Sequence, residues 1–129
     1  MLEKLPSGTK ISITRSIKTS FEKYMASIQW DENKYSIQDF ITVWREYINN
    51  HASWYKNLDE ETKNDPQFHQ ELSIKINETI EKILSEEPNE EQIESIHHLQ
   101  DQLGTNIHYS CKSEAKFLEE KLNLMSKNK

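Results

Sequence analysis

Five histidines, a single cysteine and 22 carboxylates are the groups in this chain that could carry chemistry. Glu94 and His97 stand three apart, the Glu-x-x-His spacing with which di-iron helical bundles hold metal. His98 and Asp101 repeat that spacing in reverse. His51 falls on the apolar stripe of an earlier segment. His51, Glu94 and His97 therefore make a candidate metal set, since imidazole and carboxylate suit zinc, iron or manganese. The set is incomplete. A di-iron bundle draws on two such pairs and two further glutamates, and the chain has one pair and no His-x-x-x-His. The simpler expectation is that His51 fills or caps the core edge, while His97 and His98 straddle the boundary of their helix. No cofactor is expected.

Other chemistries are less complete still. His97-His98-Leu99-Gln100-Asp101 has the outline of a phosphotransfer histidine. It lacks a flanking lysine, and Asp101 would repel the phosphate. No Gly-x-Ser-x-Gly elbow is present. Cys111 shares the phase of Ile107 and Leu118 and reads as a small core residue. Lys112, the nearest cation in sequence, points about 100° away on a helix. The carboxylate pairs Glu60-Glu61, Glu86-Glu87, Glu90-Glu91 and Glu119-Glu120 read as solvated faces. The sequence thus predicts no catalytic residue.

The aromatics offer a different use. Phe40, Trp44, Tyr47, Trp54 and Tyr55 crowd one stretch, more than a single narrow stripe can bury. Trp54 and Tyr55 are adjacent, so they diverge by about 100° and at least one should lie near a rim. Trp and Tyr at a rim anchor protein interfaces. Trp30 and Tyr35 could extend such a patch at one end. Trp30, Tyr35, Trp54 and Tyr55 are therefore the candidate protein-binding residues, against the plainer use of large rings as core.

The elements that must position these groups are helices. Residues 1–9 read as a lead-in. Ile13, Ile17, Phe21, Tyr24 and Ile28 recur at helical spacing, predicting a helix over about 10–30. The alternation Lys10-Ile11-Ser12-Ile13-Thr14 could start as strand, but a lone strand would have no partner. Ser36, with Asp39 three residues on, is a capping signal for a second helix, about 36–60. Its stripe runs from Ile37 through Trp44, His51 and Trp54 to Leu58. Asp65-Pro66 opens a third, about 66–87, striped by Phe68, Leu72, Ile76, Ile80, Ile83 and Leu84. Asn89, with Gln92 three residues on, opens a fourth, about 90–126, whose stripe runs from Ile93 to Met125. Unbroken, that last helix would extend about 55 Å. Either it kinks near Gly104-Thr105-Asn106 or its end projects. The expected fold is all-α: a single domain forming an antiparallel, up-down-up-down four-helix bundle with a long or kinked last helix.

Bulk composition agrees. Of 129 residues, Ile, Leu, Val and Phe make up about 22%, and the net charge is only −6, which favours a folded chain. Two glycines and three prolines are too few for the turns of an all-β fold. No apolar run reaches the ~18 residues of a membrane span, and the start lacks the apolar core of a secretory signal. With one cysteine, these point to a cytoplasmic protein. Asn77-Glu78-Thr79 matches a glycosylation triplet but falls inside a predicted helix. Scattered basic residues argue against nucleic acid as a partner. The functional expectation is a small interaction module (adaptor, inhibitor or regulator) that binds another protein, with homodimerisation open and no catalysis. The alternative is a metal- or small-ligand-binding bundle. An acidic mimic of nucleic acid ranks last, because −6 is thin for that role.

Overall fold

The computed structural model describes residues 4–127; the first three residues of the expected lead-in lie outside them. All regular elements among the described residues are helical: α1 (Ser7–Ser27), α2 (Ile37–His51), α3 (Ser53–Lys56), α4 (Glu60–Lys63), α5 (Pro66–Ser85), α6 (Glu90–Leu103) and α7 (Lys112–Lys127). The all-α expectation holds. The chain divides into two compact units, one up to Glu81 and one from Lys82 on, with α5 crossing the division.

In the first unit, α1 packs against α2 and α3. Its buried face carries Ile13, Ile17, Phe21 and Tyr24 as the periodicity predicts, and also Ser16 and Ser20. Those hydroxyls stay satisfied by turning back onto their own helix: Ser16 Oγ donates to the Ser12 carbonyl at 2.7 Å and Ser20 Oγ to that of Ser16 at 2.8 Å. α1 starts earlier than expected, at Ser7, with Lys10 N–H bonded to the Pro6 carbonyl. It also ends earlier, at Ser27. Gln29 N–H reaches back to Ala26 O and Trp30 N–H to Met25 O, the paired bonds of a Schellman stop. That stop needs a left-handed residue, normally glycine. Here Gln29 sits at φ 57 and Trp30 at φ 53, each at a cost of about 1–2 kcal/mol for an L-residue.

α2 begins as the sequence indicates, with Ser36 Oγ accepting from Asp39 N–H. The single helix expected over 36–60 is not formed. Ala52 turns extended (φ −102, ψ 104), and two single-turn helices follow. Ten residues of unbroken helix would separate Trp44 from Trp54 by about 15 Å along the axis. The break instead stacks their rings at 6.1 Å and brings Trp54 Nε1–H to donate to Ser16 Oγ of α1 at 2.9 Å. Asp59 then caps α4 by accepting from Thr62 N–H at 2.7 Å. That bond holds its carboxyl below the usual range.

α5 opens on Pro66, and Asp65 Oδ1 accepts from Gln67 N–H at 2.8 Å. Phe68, Leu72, Ile76, Ile80 and Ile83 are buried as expected, whereas Leu84 is exposed. The Asn77-Glu78-Thr79 triplet lies within α5 with Thr79 buried.

In the second unit, Asn89 and Gln92 close a reciprocal capping box at the start of α6. The helix expected over 90–126 breaks at Gly104, left-handed at φ 68, and the chain doubles back. The hairpin core joins Ile96 and Leu99 of α6 to Ala115, Leu118 and Leu122 of α7, with Leu103 and Tyr109 packed against it. Gln100 fastens the turn: its Oε1 accepts from Ile107 N–H and Thr105 Oγ1, and its Nε2 donates to the Ile107 carbonyl. Cys111 is buried, but Ile107 sits in the turn and is exposed. The stripe expected to run unbroken through both ends there.

Candidate functional site

The four aromatics singled out from sequence all lie in the first unit, and two are not surface groups. Trp30 is 9% exposed and Trp54 6%. Trp54 is core, stacked on Trp44 and bonded to Ser16. Tyr55, next to it, is half-buried at the rim, edge-on to Trp54 at 5.7 Å, with the Lys63 ammonium 4.8 Å over its ring. Tyr35 is exposed. Burial of the rest of its ring, and then Tyr24 nearby, raise its phenol above the usual value. A raised folded value means stability present below the ordinary phenol range and lost as pH rises through it. Tyr35→Phe is expected to flatten the alkaline limb of an unfolding curve taken above about pH 10; an unchanged limb would remove Tyr35 as its source.

Of these rings, Trp30 and Tyr35 meet around Phe21 of α1. Phe21 stands edge-on to Trp30, Tyr35 and Phe40 at 6.2, 6.4 and 5.4 Å. Tyr24 Oη accepts from Ser36 N–H at 2.9 Å and reaches the Lys34 carbonyl at 3.5 Å. The Trp30 indole N–H is buried and has no hydrogen-bond partner among the described residues. The buried indoles of Trp30 and Trp54 differ in their polar bonding: Trp54 Nε1–H is bonded and Trp30 Nε1–H is not. Trp→Phe removes a bond worth about 1 kcal/mol at the first site and relieves an unmet donor costing about 1–3 kcal/mol at the second. Trp54→Phe should therefore lose about 2–4 kcal/mol more in urea denaturation than Trp30→Phe. Equal losses would contradict the difference in bonding.

His51, Glu94 and His97 are not assembled within one unit. His51 is exposed at the end of α2, its ring 5.4 Å from Tyr47. Glu94 and His97 are exposed on α6, and His97 Nε2 pairs with Asp101 at 3.4 Å. Among the described residues no group of three His, Cys, Asp or Glu side chains is placed to hold a metal ion.

Each unit has an open cleft. Along the α1–α2 seam, Lys23, Tyr24, Val43, Glu46, Tyr47 and His51 line about 330 Å³. In the second unit, Ile93, His97, Asp101, Ile107, His108 and Tyr109 line about 470 Å³ between α6 and the turn before α7. The second was not legible in sequence. It exists because Gly104 ends α6 and Gln100 fastens the turn against it.

The fold defines an all-α protein in which, among the described residues, no helix is long and apolar enough to cross a membrane. Comparison with family models, curated proteins and solved structures finds no match.

Proposed function

We propose that this chain is a cytoplasmic protein-interaction module, an adaptor, inhibitor or regulator, that works through a helical face and not through catalysis. In each unit two helices that follow one another in the chain pack together, α1 with α2 and α6 with α7, a pairing compatible with antiparallel bundles. One observation carries the reading. Ile93 and Ile107, 46% and 37% exposed, flank a single concave site on α6. Isolated exposed apolar groups are ordinary; two on the rim of one cleft, beside Tyr109 and two histidines, fit the mixed composition of a protein interface. The test is affinity capture from the native host with the solution mass of the purified chain. Ile93→Asp with Ile107→Asp should abolish capture, and Ile74→Asp, on an exposed position of α5, should not. A doubled mass would make a second copy the partner. Capture of nothing, with turnover of a small substrate, would overturn the reading.

The α1–α2 cleft supports a second reading, small-ligand binding beside His51. About 330 Å³ falls within the range of small-molecule sites. The metal form of that alternative has no assembled ligand set among the described residues, so the organic-ligand form is the one the geometry favours. A small-molecule screen by NMR, read at Tyr47 and His51, tests it; no shift at either would dismiss it.

A further inference from the structure

We propose that the connection between α1 and α2, residues 28–36, is a strained latch that opens locally and turns Trp30 outward as an anchor for the protein partner. This rests on the interaction reading and adds to the Ile93–Ile107 cleft a separate contact, in the first unit. Two independent observations meet at one residue. Gln29 and Trp30 are consecutive left-handed residues without glycine's freedom, and conformations of that kind persist only where surrounding contacts hold them. The indole of the same Trp30 is buried with an unmet donor, so the closed position does not satisfy the group it hides. What holds it closed is apolar contact, chiefly the edge of Phe21, and the backbone bonds of Gln29 N–H to Ala26 O, Trp30 N–H to Met25 O and Asp31 N–H to Ile28 O.

The far end of the connection is tied. Tyr24 Oη accepts from Ser36 N–H, and Asn33 N–H donates to Asp31 Oδ1. Opening is therefore confined to the stretch around Gln29 and Trp30, which can relax to ordinary φ without disturbing the cap of α2. An outward Trp30 stands beside the exposed Tyr35, and the pair then presents two amphipathic rings. The partner chemistry follows from what the indole lacks: a surface offering a carbonyl or carboxylate oxygen to the N–H, next to apolar side chains that cover the ring.

The test is hydrogen exchange of the indole N–H groups in the isolated full chain, followed by NMR at increasing urea. Trp30 Nε1–H should exchange through a local opening, with little urea dependence, while Trp54 Nε1–H should follow the steep slope of large-scale unfolding. Gln29→Gly relieves the left-handed strain of the closed form by more than it adds chain freedom to the open one, and should slow Trp30 exchange about threefold. This variant removes strain and is not expected to impair folding. A Trp30 slope matching that of Trp54, or exchange unaffected by Gln29→Gly, would overturn the latch. No partner is present in this measurement, so its failure leaves the interaction reading standing; failed capture with the exchange pattern intact removes the interaction reading instead.

Discussion

Phe21→Ala is expected to cost about 3–5 kcal/mol. Phe21 is 1% exposed and stands edge-on to three rings, Trp30, Tyr35 and Phe40. Its removal deletes apolar burial, leaves a cavity among side chains of α2 and of the α1–α2 connection, and loses edge-on ring pairs worth about 0.5–1.5 kcal/mol each. Small domains have about 5–15 kcal/mol in total, so the variant should stand near the limit of folding. Phe21→Leu keeps most of the volume and should cost about 1–2 kcal/mol. The measurement is unambiguous in location, because Trp30, Trp44 and Trp54 all belong to the first unit. Urea denaturation followed by tryptophan fluorescence reports that unit. A loss under about 1 kcal/mol for Phe21→Ala would mean that the aromatic cluster is not the core of this unit.

The latch changes what this cluster means for function. Phe21 supports the closed Trp30, so weakening that contact should raise the population of the open form. In Phe21→Leu, Trp30 exchange is therefore expected to quicken more than Trp54 exchange. Gln29→Gly should act in the opposite direction. One residue sets the contact holding the indole in, the other sets the backbone tension pressing it out.

What could be read ahead of the structure was local. Ser36, Pro66 and Asn89 mark helix starts because a cap is a bond or a missing donor within three residues, and all three do so here. Interruptions caused by distant partners were not legible. Nothing near Ala52 announces a break; it follows from a tryptophan two residues on that meets Ser16 of another helix. Gln29 hides a left-handed stop behind a residue type that does not advertise one, whereas Gly104 at φ 68 makes the same kind of turn openly. Ser16 and Ser20 read as polar, yet back-bonding lets both be buried. Of the candidate site, Tyr35 and Tyr55 keep surface character, and Trp54 belongs to the core. Trp30 is also hidden, and only its strain and its unmet donor mark it as more than packing.

Leu122→Ala should cost about 2–5 kcal/mol, and Leu124→Ala close to nothing. The two share a helix and lose the same atoms, yet Leu122 is 0% exposed and Leu124 62%. The contrast tests the reversal at Gly104. In an unbroken helix Leu122 would lie about 35 Å along the axis from Leu99; in the hairpin both belong to one cluster. Tryptophan fluorescence does not see this unit, so backbone amide exchange along α6 and α7 is the measurement. Leu122→Ala should speed exchange in both helices together, because each is the other's apolar cover. Gly104→Ala should act the same way at about 1 kcal/mol. Open space surrounds the position where its Cβ would stand, so its cost is conformational alone. Exchange that quickens in α7 while α6 stays protected would mean the two helices do not share a core, and the cleft bordered by Ile93 and Ile107 would lose the framework that shapes it.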